Sequence, residues 1–257
     1  FLREIIMFPL SRRPLYLMRY ILFFPVTISL IIFNIRKIRP KVVHISGGLW
    51  QVTGVIAAIL TKTPFIWHMN DSYQPNFVLK ITKYLRARCN YIIYASNASK
   101  HFYQNAFGAS KHWVIDSYTD VLPVQKKIYK PSDTFKLITV CNINPVKDIE
   151  FLVDIMNVLK ASISFELKVV GPVHSTQRQY FELINSKIKH LNVKGIQFLD
   201  HQEHVKKHLV ASDLYICTSK FEASPVAVWE AMSVGLPVIS TDVGDLKRAS
   251  DIFDCCL

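Results

Sequence analysis

Ser219–Gly244, SKFEASPVAVWEAMSVGLPVISTDVG, is the stretch on which the fold turns. Ser224 is a helix-capping residue, Pro225 suits the first helical position, and Gly235 followed by Pro237 ends the helix after about three turns. Pro237–Thr241 then reads as a buried strand. A helix opening at Pro225 points the unpaired N–H groups of its first turn, Val226 among them, and the positive end of its dipole at whatever lies over the loop, which makes an anion site. Glu222 at the loop's rim and Glu230 inside the helix stand eight apart and flank that site with carboxylates able to accept hydroxyl hydrogen bonds. An anion flanked by two hydroxyl acceptors suits a nucleoside diphosphate joined to a sugar.

Toward the amino terminus, strands and helices alternate, the sign of a parallel α/β sheet. Asp213–Thr218 is the strand that feeds the loop, and Ile196–Leu199 an edge-side strand. Gln177–Lys189 is an amphipathic helix, and Phe165–Val170 is a strand ending in a Gly171-Pro172 turn. Phe135–Val140 is a strand, Cys141–Asp148 its loop, and 148–160 a helix with apolar residues at Phe151, Leu152, Ile155, Val158 and Leu159. The segment 120–133, DVLPVQKKIYKPSD, has two prolines, three lysines and no helical period, and is the expected linker.

The first part repeats the pattern. Strands are expected at Lys41–Ile45, Pro64–His68 and Tyr91–Ala95, and helices at Gln51–Leu60, Asn76–Arg88 and Ser96–Phe107. The first strand runs into Ser46-Gly47-Gly48, a loop that lets backbone approach a ligand closely. His68 stands at a strand's carboxyl end, where open α/β sheets bind ligands, whereas His44 inside its strand reads as structural. Two α/β domains are thus expected, 1–119 and 134–257, joined by 120–133.

The net charge of +12 is unevenly placed. Residues 1–133 hold 18 Lys and Arg against 5 Asp and Glu, and residues 134–257 hold 13 against 14. A basic first half beside a neutral second suits a membrane surface or nucleic acid. Nucleic acid lacks any interleaved aromatic and basic motif to support it. The run Pro14–Ile35 is long and apolar, but Pro25 interrupts it and basic residues flank both ends, so a helix lying in the membrane interface or buried is expected rather than a span. Arg12, Arg13, Arg19, Arg36, Lys37 and Arg39 would meet anionic lipid. The five cysteines, Cys89, Cys141, Cys217, Cys255 and Cys256, have neither metal-ligand nor disulfide-framework spacing and read as reduced thiols in the cytosol.

Glu222 and Glu230, with the EAM that follows, the G-L-P-V-I strand entry and the closing VG, resemble the E-x7-E signature of the retaining GT-B glycosyltransferases of family four, the "glycosyl transferases group 1" type. The segments KVVHISG, PFIWH, IIYAS and VIDSYTD are similar to the family's first-domain pattern, with Ser46 where a second His is usual and Ser117-Tyr118 where Asn-Gly is usual. The resemblance implies two Rossmann-like domains facing a cleft. It implies that Glu230 binds the donor's ribose, that Glu222 lies by the transferred sugar, and that Lys147 grips the diphosphate. Asn142 stands where the family has an Arg beside that Lys, bringing a hydrogen bond but no charge. Ser224, Pro225, Val226 and Gly171 would complete the donor site, and His68 with Gly47 and Gly48 the acceptor side, His68 alternatively touching the donor sugar. His201, His204 and His208 in HQEHVKKH fall in what resembles an ordinary surface helix. Measured against the family, a first strand with its glycine-rich loop and the last strand–helix units are absent, and Phe1 is not an initiator Met, so an incomplete chain is expected.

The function expected from the resemblance is transfer of a sugar from a nucleoside-diphosphate-sugar to a glycan or lipid-linked acceptor, with retention of configuration. No metal or other cofactor is required. The family's settings are polysaccharide, lipopolysaccharide and glycolipid synthesis on the cytoplasmic face of the cell membrane. A sugar-nucleotide epimerase or hydrolase of the same architecture, and a catalytically silent sugar-nucleotide-binding module, stay open as alternatives.

Overall fold

The computed structural model describes residues 14–48, 51–72, 74, 76–107, 112–117, 119 and 134–253. The expected linker 120–133, Arg12, Arg13, Tyr118, Cys255 and Cys256 lie outside them. The chain forms two compact units, 1–116 and 117–257.

The first unit contains α1 (Pro14–Ile38), β1 (Val43–Ser46), α2 (Val52–Leu60), β2 (Phe65–Met69), α3 (Asn76–Arg86), β3 (Tyr91–Tyr94), α4 (Asn97–Phe107) and β4 (His112–Val114). Its sheet has the order β1-β2-β3-β4, every pair parallel. Because each right-handed crossover steps the same way, the intervening helices fall on one face. Phe65, Trp67, Met69, Ile92 and Tyr94 point into that face and meet Val52, Val55 and Ala58 of α2 with Leu85 and Tyr103. The alternate residues His44, Ser46, Ile66, His68 and Ile93 lie on the other face, half-buried or exposed.

Helix α1 runs straight through Pro25 and continues to Ile38. It packs along α2, with Ile35 buried and Phe24 against the core. Ile21, Leu22, Phe23, Val26, Leu30 and Phe33 are exposed on the rest of its surface. Among the described residues this helix, over Ile21–Ile38, is long and apolar enough to cross a membrane, and 6% of that window is buried.

The second unit contains β5 (Phe135–Val140), α5 (Ile149–Leu159), β6 (Phe165–Val170), α6 (Arg178–His190), β7 (Ile196–Leu199), α7 (Val205–Val210), β8 (Leu214–Cys217), α8 (Val226–Ser233), β9 (Val238–Ser240) and α9 (Leu246–Phe253). The sheet order is β7-β6-β5-β8-β9, all parallel, so winding reverses beside β5. Buried positions follow each element's period: Ile149, Leu152, Val153 and Met156 give α5 one inward stripe, and the same side takes Leu137, Leu167, Val169 and Ile184. Tyr215, Val228, Ala231 and Val238 fill the opposite face with Leu209.

The winding reversal makes a crevice at the carboxyl ends of β5 and β8. One glycine closes its floor. Gly171 ends β6 at φ +143°, and a Cβ there would sit 2.0 Å from the Cys141 carbonyl oxygen. Gly54 in α2 is its opposite, because a Cβ there would lie 3.7 Å from Ile45, an ordinary contact. Gly171→Ala is therefore expected to destabilise the protein by on the order of 3 kcal/mol, and Gly54→Ala to stabilise it by up to about 1 kcal/mol through helix propensity. Urea unfolding midpoints of the two variants check this pair of opposite signs.

Candidate functional site

A cavity of about 350 Å³ lies at the winding reversal, between the loop after β5, the Gly171-Pro172 turn, and the loop from β8 into α8. Lys147, Asn142, Gly171, Glu222, Ser224, Pro225 and Val226 all line it. The structure thus gathers seven residues that the sequence singled out from across about eighty positions.

The two loops are tied to each other before any ligand arrives. Thr218 Oγ1 donates to the Lys147 carbonyl at 3.0 Å, the Lys220 amide donates to the Val146 carbonyl at 2.8 Å, and the Lys220 ammonium pairs with Asp148 at 3.0 Å. Asp148 opens α5 at φ 49°, a left-handed conformation that Asp tolerates. Asn144 Oδ1 accepts from the Val146 and Lys147 amides, at 2.9 and 3.3 Å, which fixes the turn carrying Lys147. Thr241 Oγ1 donates to the Ser219 carbonyl at 2.6 Å, joining the end of β9 to the Glu222 loop. Gly244 packs beneath that loop: a Cβ there would lie 2.9 Å from Pro225 Cδ.

Within the cavity the Lys147 ammonium is paired with Glu222, which also accepts from the Ser219 hydroxyl at 2.9 Å. Ser219, buried in the strand's exit, was not singled out from sequence. Its only signal there was its place three residues before Glu222.

The start of α8 differs from expectation. Pro225 is the residue before the helix rather than its first, and the helix has eight residues instead of three turns. Ser224 makes no cap; its hydroxyl oxygen accepts from the Trp229 indole N–H at 3.1 Å. The Val226 amide turns back on the Ser224 carbonyl at 2.9 Å, so the first-turn N–H left without an acceptor among the described residues is that of Ala227. Ala227 also lines the cavity. The strand after the helix is Val238–Ser240, and Ile239 within it is exposed because β9 is an edge of the sheet.

Glu230 does not line the Glu222 cavity. It faces a neighbouring concavity with Glu203, His204, Lys207 and Ser233, and Val205 lines both. Burial raises the Glu230 carboxyl from its ordinary value. His201 lines the main cavity, and His208 contacts Gln202 at 3.3 Å. Deep in the floor, burial pushes the Cys141 thiol up to about 12, which keeps it protonated at neutral pH.

The acceptor-side candidates sit in the first unit. Trp67 Nε1 donates to the Gly47 carbonyl at 2.7 Å, and the Gly47 amide donates to the His68 carbonyl at 2.9 Å. Gly48 leaves no room for a side chain, since a Cβ would fall 2.2 Å from both Asp71 and Gln74. Below it, Asp71 accepts from Tyr103 and, at 3.0 Å, from Gln74. Burial nonetheless raises the Asp71 carboxyl. His68 stacks on His44 with ring centroids 5.5 Å apart. Its Nε2 is buried without a hydrogen-bond partner, and burial first, then the neighbouring His44, lower its pKa.

Residues 134–251, within the second unit, match the family described as "Glycosyl transferases group 1". Two relatives are similar in sequence. An uncharacterized glycosyltransferase of Haemophilus influenzae is 22% identical over 201 residues, 76% of this chain and 55% of that protein. The N-acetyl-alpha-D-glucosaminyl L-malate synthase of Bacillus anthracis is 30% identical over 125 residues, 48% of this chain and 32% of that one. Among solved structures, Anabaena Alr3699/HepE in complex with UDP and glucose superposes with TM-score 0.75 at 20% identity, over 86% of this chain and 64% of that chain. Sucrose-phosphate synthase of Thermosynechococcus elongatus gives TM-score 0.76 at 15% identity, over 93% and 64%. The parallel-sheet α/β fold therefore matches that of GT-B glycosyltransferases, and the chain spans less than two thirds of the length of each of these proteins.

A raised Glu230 pKa has a signed consequence. The folded state favours the protonated acid, so the charged carboxylate lowers stability as pH rises from the unfolded value through the folded one. Glu230→Gln should raise the melting temperature at pH 7.5, and the gain should vanish below about pH 4, where the acid is protonated in both states. Thermal unfolding across that range checks it.

Proposed function

We propose that this protein is a retaining glycosyltransferase, moving a sugar from a nucleoside-diphosphate-sugar to a glycan or lipid-linked acceptor in surface polysaccharide, lipopolysaccharide or glycolipid synthesis. The observation that supports the reading is the cavity at the winding reversal, where one ammonium, a backbone N–H without an acceptor among the described residues and a carboxylate converge in the stretch that the family model matches. A solved relative of the same fold holds UDP and glucose, which is the ligand pair this cavity suits.

In this reading the bond from the anomeric carbon to the diphosphate oxygen breaks and its electron pair leaves on the diphosphate. The charge that develops there meets Lys147 and the Ala227 N–H, with Asn142 adding a neutral hydrogen bond, and no metal or other cofactor takes part. The acceptor oxygen forms the new bond on the face the diphosphate leaves, and its proton passes to the departing phosphate oxygen. Glu222 orients the sugar. Glu230 binds the ribose from the adjoining concavity, Val205 marking the border between the two. His68, kept neutral by burial, and the pinned Gly47-Gly48 loop serve the acceptor side.

Helix α1 supports a location at the membrane surface. Its exposed face of Leu22, Phe23, Val26, Leu30 and Phe33 carries Arg36, Lys37, Arg39 and Lys41 at its carboxyl end, which suits the anionic cytoplasmic surface of the cell membrane. Each such cation adds roughly 1 kcal/mol near an anionic surface.

Incubation with UDP-, GDP- and ADP-sugars and a mixed acceptor pool tests the chemistry. Transfer with the donor's anomeric configuration kept in the product, by NMR, is the expected result, and Lys147→Ala should lower kcat/KM by on the order of a hundredfold. Hydrolysis or epimerisation without transfer, or binding without turnover, would replace the reading with one of the alternatives. Flotation with anionic liposomes tests the location. Salt should release the protein; resistance to both salt and carbonate would show a span, and indifference to lipid charge would remove the membrane assignment.

A further inference from the structure

Lys147 carries the cation a diphosphate needs, yet in this cavity that cation already has an anion. Its ammonium is paired with Glu222, and the two side chains are only 23% and 16% exposed, so the pair is weakly screened by water. Lys147 is not free to swing aside as a whole, because Thr218 holds its carbonyl and Asn144 its amide. The same Glu222 oxygen, Oε1, also accepts from the Ser219 hydroxyl. Any ligand that takes the ammonium must leave Glu222 charged, half-enclosed and with one neutral donor.

Resting on the glycosyltransferase reading above, we propose that Glu222 selects sugar nucleotides over bare nucleotides by competing for Lys147. A bare nucleoside diphosphate that captures the ammonium strands the carboxylate next to a second anion, an arrangement that disfavours binding. A nucleoside-diphosphate-sugar takes the same ammonium but brings hydroxyl groups that donate to the released carboxylate. The exchange is then balanced: one ion pair and one set of hydrogen bonds replace the original pair. Once the sugar has moved to the acceptor those hydroxyls are gone, Glu222 recovers Lys147, and the spent diphosphate loses its hold. The same carboxylate thus favours entry of the donor and departure of the product.

The opposite signs make the idea testable by calorimetric titration of the full chain with UDP, GDP, UDP-glucose and GDP-mannose. Glu222→Gln keeps the shape and removes the charge. It should tighten bare-nucleotide binding roughly tenfold, equivalent to about 1.4 kcal/mol, while sugar-nucleotide binding stays level or weakens, so the preference collapses. Ser219→Ala, which leaves Glu222 more dependent on Lys147, should weaken bare-nucleotide binding instead. In a Lys147→Met background the Glu222→Gln gain should disappear. A gain that persists there would come from removing a negative charge in general and would overturn the exchange. Glu222→Gln binding UDP or GDP no better than the wild type would also overturn it, with the glycosyltransferase reading intact. Wild-type protein that binds none of the four nucleotides would overturn both.

Discussion

The reversal of winding beside β5 is the constraint on which the second unit depends. With β6 and β7 laid to one side of β5 and β8 and β9 to the other, the loops leaving β5 and β8 diverge to opposite faces and leave a crevice between them. Backbone groups there cannot pair within the sheet, so they are satisfied by the other loop: Lys220 N–H on Val146, Thr218 hydroxyl on Lys147, Thr241 hydroxyl on Ser219. The hydrogen bonds that hold the cavity open are the same ones that satisfy its walls. Gly171 belongs to this constraint, since any side chain there would drive into the Cys141 carbonyl.

The first unit never reverses. Its strands follow in sequence order, its helices share one face, and the face carrying His44, Ser46, Ile66, His68 and Ile93 stays less covered. His68 lies on the thinly covered face and meets His44, whereas Asp71, one turn of chain away, is held on the buried side with Tyr103 and Gln74.

Much of this was legible in the sequence because the two signals used there, period and punctuation, are local. Phe135–Val140, Phe165–Val170 and Ile196–Leu199 are strands with the expected limits, and most other elements shift by one to three residues at their ends, where fraying and turn geometry decide. The start of α8 was misjudged because Ser224 followed by Pro225 is good capping chemistry, but Trp229 five residues on competes for the same hydroxyl. Ser219 as the partner of Glu222, the Ala227 amide without an acceptor among the described residues, and the Asp71–Tyr103 contact were not legible. Each depends on where a chain segment comes to rest against another, and neither composition nor spacing encodes that.

Glu230 carries a cost to stability that its place in the helix explains. The carboxylate sits on the second turn of a helix whose other faces hold Val228 and Ala231 in the core, so its position along the chain places it near apolar surroundings whatever its use. A Gln or Leu there would suit an empty protein better, because the raised pKa means the charged form is disfavoured in the folded state. In the neighbouring cavity the Glu222 carboxylate is compensated internally, by Lys147 and the Ser219 hydroxyl. Charge burial near α8 is thus handled in two ways a few residues apart: burial raises the Glu230 carboxyl, and Glu222 is held by the Lys147 ammonium.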